Sequence, residues 1–171
     1  MNDRVLITYA TKHGATAEIA EKIGQVLGEA GLRADVMSVE RVTDLTPYQA
    51  VVLGSAVYIG QWRKEAVKFL TTHEAMLAVR PLWLFSSGPT GEGDPAELLQ
   101  GWRFPEAQKA IIERIQPRDV AVFHGEIDVE DLNLLEKWVS KNVKAPLGDF
   151  RDWEAITAWA VAIAEALQPR E

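Results

Sequence analysis

The sequence predicts an α/β protein: one three-layer domain whose doubly wound, five-stranded parallel sheet has helices on both faces. Two observations lead to this prediction. Strand-length apolar runs alternate with helix-period segments along the whole chain, and the run AVVLGSAV at Ala50–Val57 is almost continuously apolar. A central parallel strand covered on both faces has that composition. Because strands separated by helices form right-handed crossovers within one sheet, residues 1–171 are interpreted as one domain.

Each element follows from its local pattern. The predicted strands are short apolar runs, at Arg4–Tyr9, Arg33–Val39, Ala50–Val57, Pro81–Phe85 and Arg118–Phe123. The helix segments repeat apolar residues about every 3.6 positions. They are Thr16–Ala30, Arg63–His73, Pro105–Ile115, Asp131–Val143 and a last helix that begins near Asp152. Asp35 interrupts the second strand, which is therefore the weakest of the five.

Two helix ends carry specific signals. Gly31 follows the first helix and is predicted to end it, because glycine is common just past a helix C-terminus. Asp152 is a good N-cap for the last helix. We expect the apolar stripe of that helix to be buried; it consists of Trp153, Ile156, Trp159, Ile163 and Leu167.

Composition and charge exclude several functions. Hydrophobic residues make up 47% of the chain and charged residues 25%, which is ordinary for a folded domain. The net charge of −7 disfavours nucleic-acid binding, which needs a positive field. The absence of cysteine excludes disulfides, thiolate nucleophiles, iron–sulfur clusters and cysteine-ligated zinc, and it is compatible with a reducing cytoplasm.

A metal site and a membrane span are not expected either. His13, His73 and His124 are spread along the chain, and none has a second histidine at ligand spacing. The N-terminal residues lack a signal-peptide pattern, and no uncharged apolar run approaches the ~20 residues that span a bilayer. We therefore expect a cytoplasmic protein without a transmembrane segment.

Three segments are candidates for a binding site, because ligands of doubly wound sheets lie beyond the carboxyl ends of the strands. They are Ala10–Thr16, Ser55–Trp62 and Ser86–Asp94. The first leads into a helix N-terminus, where free N–H groups and the macrodipole favour an anion. Thr11 and Thr16 add hydroxyl donors, and Gly14 lets the backbone curl towards the anion. Lys12 and His13 add charge or further donors, so a phosphate suits this set.

Known phosphate motifs narrow the choice for the first segment. G-x-x-x-x-G-K-[ST] and G-x-G-x-x-G are both missing, because Gly14 stands alone. A mononucleotide loop of the form T-x-x-G-x-T remains, beside an ordinary turn capped by Thr11 or Thr16. The loop by itself does not decide between these two interpretations.

The other two segments suit a planar ring. Tyr58 follows the central strand and is placed to stack on a ring, with Gly60 bringing backbone groups to its edge. Trp62 is a second aromatic residue near this strand end that could stack on a ring, but packing against the following helix is the favoured interpretation for it. The segment SSGPTGEGD is small and polar, and its alternative is an ordinary surface turn. Convergence of all three segments at one switch point favours a shared ligand.

These residues resemble a flavodoxin-like FMN domain. The segment TKHGAT at Thr11–Thr16 is similar to the T-x-T-G-x-T phosphate loop of flavodoxins, with His13 replacing the middle threonine. More narrowly, TKHGATAEIA, GSAVYIGQW and DWEAITAWAVAIAEAL resemble the menaquinone-dependent protoporphyrinogen oxidase branch of flavodoxin-domain proteins. The resemblance runs over most of the chain, and it implies the strand order 2-1-3-4-5 and an FMN cofactor.

The resemblance implies FMN contacts from all three segments. At the phosphate they are Thr11, Lys12, His13, Gly14, Ala15 and Thr16. Around the isoalloxazine ring they are Ser55, Ala56, Val57, Tyr58, Ile59, Gly60, Ser86, Ser87, Gly88, Pro89, Thr90 and Gly91. Because FMN supplies the redox chemistry, no catalytic side chain is predicted. A cation at Lys12 beside the phosphate predicts that riboflavin binds much more weakly than FMN.

Two departures separate this chain from the oxidase branch. That branch is expected to carry a long basic and apolar insertion after the fifth strand, whereas His124–Asp149 is shorter and mixed in charge. The arginine of the second segment also comes late, at Arg63. We interpret residues 124–149 as a helical excursion of the domain. A lid, a surface helix and a dimer contact stay open for it, so a homodimer stays open too, while peripheral membrane docking is disfavoured.

Three functions remain. The chain is an FMN oxidoreductase that moves electrons from an organic substrate or donor to a quinone-like acceptor, a non-catalytic carrier between protein partners, or a binding module that has lost flavin. The second segment has no acid before Glu65, and the third has only Glu92 and Asp94. Few acids near the ring predict a reduced flavin that is less destabilised than in a carrier flavodoxin. This slightly favours the oxidoreductase.

Overall fold

The fold was determined as a computed structural model. It describes residues 4–11, 14–58, 61–88, 104–123, 126–127, 148–149 and 151–168. The described strands are β1 (Arg4–Ala10), β2 (Arg33–Ser38), β3 (Ala50–Tyr58), β4 (Gln61–Trp62), β5 (Leu82–Ser87), β6 (Asp119–Phe123), β7 (Glu126–Ile127) and β8 (Gly148–Asp149). The described α-helices are α1 (Ala15–Glu29), α2 (Lys64–Thr72), α3 (Glu74–Ala78), α4 (Lys109–Ile115) and α5 (Trp153–Leu167). Single 3₁₀ turns occupy Val39–Arg41 and Glu106–Gln108.

The main sheet has the predicted topology. Its order is β2-β1-β3-β5-β6, and each neighbouring pair along this path is parallel. The two-residue strand β4 lies off this path and pairs antiparallel with β3. With β4 set aside, this is the order 2-1-3-4-5 that the resemblance implies, so the predicted α/β class and strand order are confirmed.

Helices cover both faces of the sheet, because alternate residues of each strand point to opposite sides. One buried cluster joins Val5 and Ile7 of β1 to α1 and α5, and the other joins Leu6 of β1 to α2, α3 and α4. Phe85, Phe123 and Trp159 pack edge-to-face or tilted in the first cluster, with ring centroids 5.4–6.0 Å apart. The three-layer arrangement follows from this double coverage.

Most element bounds agree with the sequence pattern, and three points differ. The helix predicted at Arg63–His73 is present as α2, but a separate short helix, α3, follows it directly, and the sequence pattern did not indicate this second helix. Ser86 and Ser87 belong to β5 rather than to a loop. Trp153 was expected in the core but is 37% exposed at the start of α5, where the Arg151 guanidinium lies 4.8 Å from its ring centroid. The helix predicted at 131–143 lies outside the described residues.

Both predicted helix-end signals are confirmed. Asp152 caps α5, since its Oδ1 accepts a hydrogen bond of 3.0 Å from the backbone N–H of Ala155. Gly31 follows α1 with φ of 95°, a left-handed conformation that favours glycine, and Leu32 N donates to the carbonyl of Leu27. The end of α1 and the start of α5 therefore lie where their local chemistry favours them.

A cluster of charged and polar groups lies at the amino end of the sheet and stabilises the weak second strand. Asp35 Oδ2 accepts hydrogen bonds from Arg4 Nη2 at 2.5 Å and from the Tyr48 hydroxyl at 2.9 Å. Burial alone would raise the pKa of Asp35, but these two hydrogen bonds outweigh it and hold that pKa below its usual value. Asp35 therefore interrupts the apolar pattern of β2 without leaving an unpaired charge.

The short strands β7 and β8 pair antiparallel, Glu126 with Asp149 and Ile127 with Gly148. Residues 126–127 and residues 148–149 are therefore neighbours in space. The excursion predicted at 124–149 falls largely outside the described residues and stays a prediction. In the described part of the chain, no helix combines the length and apolar character needed to cross a membrane.

Candidate functional site

Three neighbouring strands run side by side near their carboxyl ends, although β3 continues beyond the other two, to Tyr58. In the sheet register Ala10 of β1 lies beside Ser55 of β3, and Ser55 lies beside Ser86 of β5. The three segments predicted from the sequence therefore leave the sheet side by side. Such an edge of a parallel sheet, where the strand order reverses between β1 and β3, is the usual place for a ligand.

The first segment forms a tight loop whose geometry requires glycine. Gly14 has φ of 89°, and its N–H donates a 3.1 Å hydrogen bond to Thr11 Oγ1. A hydroxyl can accept and donate at once, so the Thr11 O–H still has a hydrogen to offer a ligand. Lys12 and His13 lie outside the described residues.

The helix α1 begins at Ala15 with Gly14 as its N-cap, a residue with no side chain to cap it. The hydrogen bond from Glu18 N to Gly14 O, 3.2 Å long, is the one that opens the helix. The N–H groups that precede it in the first turn have no intrahelical acceptor, and the macrodipole adds positive potential there. Thr16 is buried, with 1% of its surface exposed.

The second segment is a hairpin rather than an irregular loop. Val57 pairs with Trp62 and Tyr58 with Gln61, so the chain reverses tightly between β3 and β4. Ser55 holds the base of this hairpin, because its hydroxyl accepts from Arg63 N at 2.9 Å and donates to the Ala56 carbonyl at 2.9 Å. The tip at Ile59 and Gly60 and the side chain of Tyr58 lie outside the described residues.

Trp62 belongs to the core and does not offer its face to a ligand. It is 4% exposed and lies in the buried cluster with Ala66 and Phe69 of α2, as the packing interpretation predicted. Its Nε1–H donates a 2.8 Å hydrogen bond to Ser86 Oγ. This bond ties the second segment to the third, and nothing in the local sequence pattern of either segment indicated it.

The third segment packs directly against the second. A Cβ built on Gly88 would lie 2.9 Å from the Cβ of Val57, so only glycine allows this approach. Gly88 N also donates a 3.2 Å hydrogen bond to the carbonyl of Phe123 at the end of β6. Ser87 is 4% exposed, and Pro89, Thr90 and Gly91 lie outside the described residues.

Two helices that begin at this edge, α1 and α2, each have an acid in the first turn with an arginine beside it. Glu18 of α1 accepts from Arg151 Nη1 at 2.6 Å, and Glu65 of α2 lies 3.6 Å from Arg63 Nε. In these two first turns, each acid is thus offset by a cation. The pairing of Glu18 with a residue 133 positions away could not be found from sequence spacing.

Comparison with protein families identifies this fold. Residues 6–153 match the family described as Flavodoxin domain. The chain belongs to this family. Flavodoxin-domain proteins exchange electrons with redox partners, and FMN is the cofactor of this chain.

A curated relative matches part of the chain. The chain is 31% identical over 85 residues to the protoporphyrinogen IX dehydrogenase (quinone) of Escherichia coli strain K12. The match covers 48% of this chain and 47% of that enzyme, so it spans about half the length of the relative.

Solved structures show the same fold. A flavodoxin from the domain Archaea superposes with a TM-score of 0.65 at 15% identity, covering 96% of this chain and 98% of that one. Oxidised flavodoxin 2 from Bacillus cereus gives a TM-score of 0.59 at 22% identity, covering 95% and 99%. Both similarities concern the arrangement of the strands and helices.

The described residues suit FMN in two respects. The head of α1 offers N–H groups, a threonine hydroxyl and a positive-φ glycine, which together are the donor set of a phosphate. The segments at the ends of β3 and β5 are held against each other by the Trp62–Ser86 hydrogen bond and by the close approach of Gly88 to Val57. When bound, FMN supplies a group that accepts and releases electrons at such a site.

Proposed function

We propose that this chain is an FMN oxidoreductase, or electron-transfer protein, that moves electrons from an organic substrate or donor to a quinone-like acceptor. The alignment of Ala10, Ser55 and Ser86 in three neighbouring strands, beside the uncapped head of α1, is the observation that carries the proposal. It joins a donor set for phosphate to two backbone segments suited to a planar ring. The whole activity also rests on the similarity to a quinone-dependent dehydrogenase.

The proposed phosphate residues are those at the head of α1, where Thr11 and Gly14 already form the loop. They comprise Thr11, Lys12, His13, Gly14, Ala15 and Thr16. The proposed ring-binding residues come from the hairpin and from the end of β5. They comprise Ser55, Ala56, Val57, Tyr58, Ile59, Gly60, Ser86, Ser87, Gly88, Pro89, Thr90 and Gly91.

Within this set the side chains have different tasks. Ser55 and Ser86 are both fully buried, and their hydroxyls bond to protein groups, so we assign them to holding the hairpin and β5 in place. In this scheme the backbone groups that follow Ser55 and Ser86 in their segments, rather than these two hydroxyls, face the ring. No side chain of the described residues is needed to take or give a proton in this scheme.

The proposed reaction balances as a two-electron transfer. A reduced organic donor loses two electrons and two protons, and a quinone gains the same two electrons and two protons to become the quinol. Two acids in helix first turns at the site edge, Glu18 and Glu65, are each offset by an arginine. This supports a reduced flavin that is less destabilised than in a carrier flavodoxin.

Turnover by the FMN-loaded protein tests the proposal. We expect protoporphyrinogen or another reduced organic donor to be oxidised when a soluble menaquinone analogue is present, with one quinol formed for each pair of electrons removed. A loaded protein that passes electrons to a protein acceptor but never to a quinone would contradict the oxidoreductase. It would favour the carrier between protein partners, which the net charge of −7 also suits because basic partners attract an acidic surface.

The proposal extends to the setting of the reaction. We propose a cytoplasmic location, with the redox partner either a small molecule or another protein. A homodimer through the predicted excursion at 124–149 is an additional proposal, to be tested by the mass of the protein in solution.

A further inference from the structure

Arg151 reaches the head of α1 from a distant part of the chain. It lies between β8 and α5, and its Nη1 is 2.6 Å from Glu18 Oε2 and 3.4 Å from the carbonyl oxygen of Ala15. The Arg151 side chain is only 6% exposed, whereas that of Glu18 is 57% exposed. A nearly buried cation is therefore fixed against the first turn of the helix.

This is an unfavourable place for a cation on general grounds. The N-terminus of a helix carries positive potential, which favours a carboxylate such as Glu18 and disfavours an arginine. Burial adds a desolvation cost to the guanidinium. Contacts with Glu18 and the Ala15 carbonyl, and the Trp153 ring 4.8 Å away, offset part of that cost.

A bound phosphate gives this arrangement a purpose. The potential at the head of α1 attracts a phosphate, but Glu18 places a negative charge one turn into the same helix and opposes it. Arg151 cancels that charge and also holds the Ala15 carbonyl, which belongs to the turn whose N–H groups face outwards. The pair leaves the head of the helix positive without removing the acid.

We infer that Arg151 is a positioning and specificity-determining residue for the phosphate of FMN, acting by offsetting Glu18 and fixing the first turn of α1. The inference rests on the proposed phosphate site at the head of α1, of which Thr11, Gly14 and Ala15 are described. It applies to the phosphate end of the ligand and not to the ring. It is separate from the role of Lys12, which the sequence pattern already predicts.

Two substitutions that break the same ion pair distinguish charge from structure. Arg151→Met leaves Glu18 unopposed, so FMN affinity falls by about tenfold while riboflavin affinity stays within about twofold. Glu18→Gln removes the acid and leaves the cation, so FMN affinity stays equal or rises. The double variant recovers most of the affinity lost in Arg151→Met. A purely structural pair would instead lower the affinity for both flavins in both single variants.

The measurement is a fluorescence titration of flavin-free protein with FMN and with riboflavin, at low and at high salt. Arg114→Met is a matched control, since it changes the net charge equally and breaks an exposed pair with Glu74 elsewhere. This control leaves both affinities unchanged. High salt reduces the difference in FMN affinity between the original chain and Arg151→Met, because it screens the charge of the Glu18 carboxylate.

Arg151→Lys keeps the inference testable if Arg151→Met does not fold. Lysine retains the charge, so the ratio of FMN to riboflavin affinity stays within about threefold of the original. An unchanged ratio in Arg151→Met, or losses of FMN affinity in both Arg151→Met and Glu18→Gln, would overturn the inference. If the unsubstituted chain binds riboflavin and FMN with equal affinity, the proposed phosphate site is wrong, and the inference about Arg151 is wrong with it.

Discussion

The two edges of the parallel sheet use polar groups in opposite ways. At the amino edge, Asp35 accepts from Arg4 and Tyr48, so the polar atoms of that cluster turn towards one another. At the carboxyl edge, Thr11 accepts from Gly14 N, and the first N–H groups of α1 turn outwards with no acceptor in the helix. One edge is closed by its own charges, and the other presents donors.

The difference indicates how this fold separates stability from function. A satisfied cluster such as that around Asp35 supports a strand with a weak apolar pattern, and it has little capacity left for a ligand. The carboxyl edge depends on backbone geometry at Gly14 and Gly88, where a side chain would cause strain or collision. Changes at the amino edge should therefore alter stability alone, and changes at the carboxyl edge should mainly alter flavin binding.

The largest expected effect follows from Gly14→Ala. Alanine at φ of 89° costs roughly 1–2 kcal/mol, which the loop relieves by moving its N–H groups away from the phosphate. FMN affinity should fall tenfold or more, a loss of about 1.4 kcal/mol or greater, in an equilibrium titration.

Gly28→Ala is the matched control for that substitution. Gly28 lies inside α1, and a Cβ built there meets no atom within 4 Å. Alanine should raise the free energy of unfolding by about 0.5–1 kcal/mol and leave FMN affinity unchanged. Equal losses of FMN affinity in the two variants would show that α1 as a whole, and not its head, governs binding.

Asp35→Asn should change stability and leave FMN binding unchanged, the reverse of what is expected for Gly14→Ala. It weakens the hydrogen bonds from Arg4 and Tyr48 and should lower the melting temperature by about 2–4 °C. FMN affinity should not change, because this cluster lies at the other edge of the sheet. A loss of flavin binding that exceeds the loss of stability would contradict the separation of the two edges.

Acid should remove the contribution of Asp35. Its pKa in the folded chain lies below the value of about 3.9 expected when unfolded, so its stabilising effect is present above about pH 4 and is lost as the pH falls through the folded pKa. Urea unfolding at pH 7 and pH 3 should therefore show a difference between the original chain and Asp35→Asn that shrinks at pH 3. A constant difference would mean that the charge of Asp35 is not the source of its effect.

His13 should give the smallest effect. If its imidazolium contacts the phosphate, FMN affinity falls a few-fold as the pH rises above about 6.5. The phosphate itself titrates near pH 6, so His13→Gln is needed as a reference. A pH profile identical in the two proteins would place His13 away from the phosphate.

Local patterns in the sequence were enough to predict much of this fold. Alternating apolar runs predicted the five main strands along the chain, and the cap at Asp152 appeared where its side chain can reach Ala155 N. Such signals are readable because they act over a few residues. The order of those strands within the sheet came from the family resemblance.

What the sequence could not indicate depends on contacts between distant residues. The bond between Trp62 and Ser86 joins two segments, and Arg151 meets Glu18 across 133 positions, so no spacing rule reveals either. For Trp153, by contrast, the local pattern gave a prediction that the structure contradicts. Its place in an apolar stripe predicted burial, yet it lies in the first turn of α5, partly exposed beside Arg151.

The most direct test of the FMN site at the carboxyl edge is a titration of the flavin-free chain with FMN and with riboflavin. We predict that the protein turns yellow and that FMN binds much more tightly than riboflavin, because the phosphate lies at the head of α1. Failure to bind either flavin, or equal affinity for both, would contradict the assignment of this edge as the FMN site.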